Sequence, residues 1–458
     1  FDRPPHIVRI IGICGISGLG KTTIAKAIYN EIYHAFEGCC FLENVKEVSK
    51  QPNGLIQLQE QLLCDVLLKK NLKINNISRG INVIKQRLHC KRVLIVIDDV
   101  DHLDQLNALA IKRDSFGIGS KIIVISRDEH LLNEAQDYDI YHPEELDFNE
   151  SLQLFSWHAF KNDSAPNEYE ELSKEIVNYV KGLPFALEIM GSLMFGKRSL
   201  SEWEHALVKL ESKPDDQIQK ALKLSFYDLD DTEKDIFLDI ACFFIGMEKN
   251  YVCEILDGCN LFPVIGIRIL SQRSLIKIDE INRLKMHDLL QDMAKEIVQE
   301  ESPEEPGRRT RLWSREDVCD VLVKHEGTKS VEGIILDNSQ FEDVCFSTEA
   351  FVDMPNLRLL QLNYVHLRGE YEYLSKKLRW LCWYGFPLNS IPHNFDLENL
   401  IVLDMKDSSI KEVWKEIKLL KKLKILNLSH SSCLMKTPNF SGLPNLEELI
   451  LVDCKSLS

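Results

Sequence analysis

The sequence predicts a multidomain chain of mixed α/β and α character that ends in a repeat solenoid, and three observations carry the prediction. A buried-strand run, IVRIIGIC at 7–14, leads into the glycine-rich GISGLGKT at 15–22 and then into an apolar-periodic helix, TIAKAIYNEI. From about 146, apolar residues recur at three- and four-residue spacing, as in SLQLFSWHAF and LSKEIVNYV, the mark of amphipathic helices. Segments of the form L-x-x-L-x-L begin at 357, 378, 400, 423 and 446, spacings of 21, 22, 23 and 23 residues. At 458 residues the chain is about three times the usual domain size. The expected blocks are 1–145, 146–215, 216–325 with its linker, and 326–458.

Composition removes several classes. Apolar residues make up 45% and charged residues 28%, as in ordinary soluble proteins, and no run approaches the roughly 18 uninterrupted apolar residues of a membrane span. A net charge of -16 argues against a generic nucleic-acid binder, because phosphate contacts need a basic surface. The thirteen cysteines are scattered and contain no C-x-x-C pair, so reduced, mostly buried thiols are expected rather than a disulfide framework or a zinc knuckle. Phe1 is no natural start and Ser458 falls inside a repeat, so a longer parent protein is expected.

The first block carries the strongest chemistry. GISGLGKT is G-x-x-x-x-G-K-T in the strand-loop-helix setting of a P-loop NTPase, so a parallel sheet is expected around it. Gly15, Gly18 and Gly20 let the backbone turn its N–H groups toward a polyphosphate. Lys21 reaches the β- and γ-phosphates, Thr22 ligates Mg²⁺ through its hydroxyl, and Thr23 belongs to the same nucleotide-binding run at the helix N-terminus. A glycine-rich turn capping an ordinary helix is the bland alternative. KRVLIVIDDVDHL at 91–103 is an apolar strand running into paired carboxylates. Asp98 is placed to hold the Mg²⁺ shell and Asp99 to orient a hydrolytic water, against the plainer reading of a solvated turn. A third strand, SKIIVISR at 120–127, delivers Arg127 at its carboxyl end, where a γ-phosphate sensor would sit; a surface arginine is the alternative.

These residues bring a family into view. The chain resembles plant NB-ARC leucine-rich-repeat immune receptors, in particular the subclass with an N-terminal Toll/interleukin-1-receptor domain. The matching segments are FLENVKEV at 41–48, IDDVDHLDQL at 97–106, GSKIIVISRD at 119–128, LFSWHAFK at 154–161, GLPFAL at 182–187, FLDIACFF at 237–244 and MHDLLQDMAKEIV at 286–298. Asp101 points to the subclass, since the coiled-coil sibling typically has Trp there; Ser126 and Phe185 depart from the usual Thr and Leu. The subclass's signalling domain is absent from these residues, and any NAD-cleaving activity of the family would reside there.

The middle blocks are helical, with punctuation at GLPF, 182–185, and at KP, 213–214. Pro184 makes a rigid apolar surface against which adenine can pack, the place the resemblance also gives it; a helix-helix turn is the alternative. Helices followed by short strands at 275–278 and 284–286 around DEIN suggest a winged helix. Its HDLLQDMAKEIVQEE carries more acid than base, so a protein-protein module is expected rather than a DNA reader. His287 and Asp288 are immediate neighbours, which seldom suits a catalytic pair. Asp288 reads as the N-cap of the next helix, while the resemblance gives His287 a bond to the β-phosphate of bound ADP.

The C-terminal block reads as the start of a leucine-rich-repeat solenoid, with VEGIIL at 331 as a degenerate opening repeat. The polar or Cys position after the last leucine is met by Cys454 but by neither Val365 nor Phe386. The basic run KEIKLLKKLK at 415–424 is read as a solvated face, with an acidic partner as the minority alternative.

The expected function is that of an ADP/ATP-dependent switch in plant defence signalling, with ADP or ATP and Mg²⁺ as cofactors. The resemblance implies a closed ADP form, self-association with ATP, and recognition of a pathogen effector or a guarded host protein through the repeats. It implies a cytoplasmic site of action, with the nucleus as a second compartment, and at most slow ATP hydrolysis through Asp99. Neither membrane nor direct nucleic-acid binding is expected. A constitutively cycling ATPase with a recognition surface is the alternative.

Overall fold

The computed structural model describes residues 7–69, 72–134, 138–197, 199–212, 215–339 and 344–457. Phe1, the KP punctuation at 213–214 and Ser458 lie outside the described residues. The chain packs as two compact units. The first holds the residues up to Leu229 together with Ile269–Ile276 and His287–Leu289, and the second holds Asp230–Arg268, Lys277–Met286 and Leu290–Ser458.

The first unit is built on five parallel strands: β1 (Arg9–Cys14), β2 (Gly38–Leu42), β3 (Val93–Val100), β4 (Lys121–Ser126) and β5 (Asp139–Tyr141). Their order is β2-β3-β4-β1-β5. VLIVI at the start of β3 is wholly buried, as expected where helices cover both faces of a parallel sheet. The period of two sorts neighbours to opposite faces: Ile122 and Val124 join one apolar cluster, Ile123 and Ile125 the other. A parallel sheet also sends the carboxyl ends of β1, β3 and β4 to the same edge, which is what assembles the site.

Helices Phe148–Phe160, Glu170–Val180, Pro184–Met194, Leu200–Ser212 and Asp216–Tyr227 follow. Asp147 and Glu150 form a reciprocal capping box at the first of these. Pro184 occupies the first turn of its helix, where no N–H is required. Gly191 lets the first and third helices touch, since a side chain there would meet the Phe155 carbonyl at 2.8 Å.

In the second unit, helix Asp231–Asp239 continues as a π-helical turn, Ile240–Phe244, and helix Lys249–Gly258 follows. The hairpin β6 (Lys277–Ile278) and β7 (Leu284–Lys285) is antiparallel, shorter than the sequence suggests but in the same place. The linker before the repeats supplies β8 (Arg311–Leu312), and the repeats supply β9 (Gly333–Asp337), β10 (Val344–Ser347), β11 (Leu359–Asn363), β12 (Val365–Arg368), β13 (Trp380–Tyr384), β14 (Val402–Asp404), β15 (Ile425–Asn427) and β16 (Glu448–Ile450). Seven of them form a parallel sheet in the order β16-β15-β14-β13-β11-β9-β8, with β10 and β12 paired separately. Leu360, Leu381, Leu403 and Leu426 point into one core, while Gln361, Cys382, Asp404 and Asn427 align in one row on the other face.

The irregular repeats have a simple cause. Val365 and Phe386 stand where the motif prefers a polar group, and both are buried as core apolar residues. Cys454 fulfils the motif, its thiol donating to the Leu428 carbonyl at 3.2 Å. The basic run is less solvated than its composition suggests: Lys418 donates to the carbonyls of Pro392 and Phe395, and Lys424 pairs with Glu254 and Glu447. Among the described residues no helix is long and apolar enough to cross a membrane.

Candidate nucleotide-binding site

The loop after β1 is shaped by its glycines. Gly18 and Gly20 sit at φ 83° and 82°, a left-handed conformation that side chains resist. A Cβ on Gly18 would also press on the Cβ of Phe185 at 3.0 Å. The loop and the GLPF turn are joined directly, because the Phe185 N–H donates to the Gly18 carbonyl at 3.1 Å. Helix Lys21–Ile32 begins at Gly20 without a side-chain cap, so its first-turn N–H groups face the loop with the positive end of the helix dipole behind them.

Lys21 is buried, its ammonium donating to the carbonyls of Gly15 and Ile16 at 2.7 and 2.6 Å. Burial, with Arg127 nearby, pushes its pKa down to about 8. The Thr22 hydroxyl lies 3.0 Å from each Asp98 carboxylate oxygen, a compact all-oxygen donor set that suits a hard divalent cation. Burial raises the Asp98 pKa, opposed by the bond from Thr22.

Asp99 shows how the strand releases its second carboxylate. Its φ is 57°, and the β3–β4 register shifts between Ile97 and Val100, so the chain bulges there. The bulge leaves Asp99 3.7 Å from the Arg127 guanidinium at the end of β4. Ser126, just before, donates to the Val100 carbonyl at 2.7 Å and accepts the Asp128 N–H at 3.0 Å. A hydroxyl suffices for both bonds, so Ser in place of the usual Thr is accommodated.

These groups line one cavity of about 1190 Å³, large for a small-molecule site. Gly18, Gly20, Lys21, Thr22, Thr23, Asp98, Asp99, Arg127 and Pro184 all border it. Gly15 stays just outside the lining and receives Lys21 instead.

His287 is placed differently from the expectation. It does not border this cavity; Nε2 lies 3.2 Å from the Lys181 carbonyl, on the segment leading to Pro184. Its Nδ1 accepts the Leu289 N–H at 3.2 Å, which fixes the proton on Nε2. The capping task assigned to Asp288 is therefore performed by His287, and Asp288 is the first residue of helix Asp288–Glu301. The reason is geometric: the imidazole of the preceding residue already reaches the orphan N–H.

Sequence reasoning missed Lys46 and Gln105. Lys46 bridges Asp101 at 3.6 Å and Asp228 at 2.7 Å, and Gln105 donates to the Asp101 carboxylate at 2.7 Å. Both stand inside quoted motifs, yet no pattern announces a pairing 182 positions apart.

The NB-ARC domain profile matches residues 4–165, and the winged-helix domain of Roq1-like disease resistance proteins matches residues 230–302. Disease resistance proteins RPV1 and RUN1 of Vitis rotundifolia are each 40% identical over 98% of this chain, which spans 34% and 36% of their lengths. TMV resistance protein N of Nicotiana glutinosa is 39% identical over 98% of this chain and 39% of its own. The chain carries an NB-ARC domain and a Roq1-like winged-helix domain, and it is similar along nearly its whole length to plant disease resistance proteins. The NB-ARC fold makes it a nucleotide-binding protein, with the cavity above as the candidate site. Among solved structures, the Walker-type ATPase of Pyrococcus abyssi is similar at TM-score 0.44 and 13% identity, over 62% of this chain and 91% of that one, too loosely to add to the fold described.

Proposed function

We propose that the chain is an ADP/ATP-dependent switch of a plant immune receptor. The observation that carries this reading is the convergence of Lys21, Thr22, Asp98, Arg127 and Pro184 on one cavity at the carboxyl ends of β1, β3 and β4. In this reading the loop N–H groups of Gly15 to Thr23 and the Lys21 ammonium receive the phosphates. Thr22 and Asp98 would hold Mg²⁺, which would supply neutralisation of phosphate charge. Pro184 packs on the adenine, and Arg127 senses the γ-phosphate. Asp99, held by Arg127, orients water and turns ATP over slowly.

His287 acts as a latch. In the ADP state its Nε2–H turns from the Lys181 carbonyl to the β-phosphate, fastening helix Asp288–Glu301 to the nucleotide. A protein ligand on the repeats, a pathogen effector or a guarded host protein, favours the ATP form, which self-associates. Nucleotide extraction from the purified protein, with molecular size measured before and after exchange to ATP, tests the reading. Co-purifying ADP and an ATP-dependent increase in size support it; rapid unprompted turnover with constant size would replace it with a cycling ATPase.

A further inference from the structure

The loop that follows β2 fastens three of its residues to the rest of the first unit and leaves the fourth to the nucleotide cavity. Glu43 pairs with Lys26 of helix Lys21–Ile32 at 2.7 Å. Val45 is buried in the apolar core. Lys46 bridges Asp228 at 2.7 Å and Asp101 at 3.6 Å. Among these anchors stands Asn44, exposed and bordering the cavity.

Asn44 is also spared the task its position suggests. It is the N-cap of helix Val45–Ser49, where an asparagine side chain ordinarily accepts a hydrogen bond from a first-turn N–H. No such bond forms here. The backbone sits at φ 54° and ψ 42°, a left-handed conformation that asparagine adopts more readily than most side chains. Its main-chain carbonyl accepts the N–H groups of Glu47 and Val48 at 3.1 and 3.0 Å, while the carboxamide makes no hydrogen bond among the described residues. A donor and an acceptor are thus held on a pinned loop, open to whatever fills the cavity.

Strand order says which part of a nucleotide can meet them. Outward from the glycine loop, the sheet edge presents the ends of β1, β4, β3 and β2, which carry the loop, Arg127, Asp98 with Asp99, and Asn44 in turn. Neighbouring strands lie about 4.8 Å apart, which sets the end of β2 about 14 Å from that of β1. Phosphates cradled by the loop stay far from β2, and only the last of the chain extends toward it. Ionised Asp98 and Asp99 can only accept hydrogen bonds, so Asn44 supplies the donor that a phosphate oxygen needs on this side. We infer, on the switch reading proposed above, that Asn44 recognises the γ-phosphate, its carboxamide N–H donating from the β2 side while Arg127 approaches from β4. Asn44 thereby helps to separate ATP from ADP.

Equilibrium binding of ADP and of the β,γ-imido analogue of ATP to the intact chain, each with Mg²⁺, tests this. Asn44→Gly keeps the left-handed backbone accessible and removes the carboxamide, whereas Asn44→Asp keeps the shape and replaces the donor with a carboxylate. Both variants should melt as the wild type does without nucleotide. Both should bind the analogue about tenfold or more weakly, Asn44→Asp the more so, with ADP affinity held within about twofold. A wild-type ratio of the two affinities in both variants overturns the inference. Equal weakening of ADP and analogue overturns it too, since Asn44 would then serve only the shape of the loop. Lys21→Ala should weaken both ligands, and a wild type that binds neither would overturn the switch reading itself and the inference with it.

Discussion

Lys21 illustrates how a single residue can be read from its surroundings. Its ammonium satisfies two carbonyls of its own loop, and burial lowers its pKa to about 8. The folded value lies below the unfolded one, so the unfolded chain holds more protons between about pH 8 and 10.5, and stability from this group rises as pH climbs through that window. A phosphate arriving beside it restores the charged form. ADP binding near pH 8 should therefore take up protons, visible as a buffer-dependent heat in calorimetry; identical heats in buffers of different ionisation enthalpy would remove this role. His287→Ala should speed ADP release by about tenfold or more, since a hydrogen bond to a charged group contributes roughly 1.5–3 kcal/mol. Stopped-flow displacement measures it, and an unchanged off-rate discards the latch. At this scale the motif residues were legible because their chemistry is local. The orientation of His287 was not, because its partner Lys181 is 106 positions away.

Elements were legible where a period governs them. The period of two in β3 and β4 and the L-x-x-L-x-L return both follow from which face is buried, so strands and repeats fell where expected. β8 was not visible: Arg311 and Leu312 pair with Gly333 and Ile334 although no leucine pattern precedes them. β8 is held by the buried charge of Arg311 together with Leu312 in the repeat core, and two residues are too few for a period to record. Asp239→Ala should accordingly destabilise the second unit by about 3–5 kcal/mol, because the guanidiniums of Arg311 and Arg358 lose their shared carboxylate. Denaturant unfolding followed by tryptophan fluorescence would register it, and a loss under about 1 kcal/mol would mean the cluster is solvated. Gly18→Val should impair ADP binding with little change in that transition, since it crowds Phe185 and strains the loop in the first unit. Parallel loss of both would show that the loop glycine serves folding alone.

For the whole molecule, the constraint is energetic. Moving a two-state protein from about 99:1 closed to 99:1 open takes roughly 5.5 kcal/mol of differential binding. One bond from His287 supplies less than that, so nucleotide exchange and a ligand on the repeats must contribute together. Overall architecture was legible because each block has its own grammar: glycine loop, helical spacing, hairpin, leucine repeat. How the winged-helix segment meets the repeats was not, because Arg358, Arg379 and Lys424 look like ordinary exposed charges in the sequence, yet they bond Asp239, Gly258 and Glu254. The most direct measurement is the thermal melting of the purified chain with and without ADP. A ligand at about a hundred times its Kd stabilises by about 2.7 kcal/mol, so ADP should raise the melting temperature of the wild type and leave Lys21→Ala nearly unmoved. Wild-type protein that carries no adenine nucleotide and melts at the same temperature with or without ADP would contradict the account.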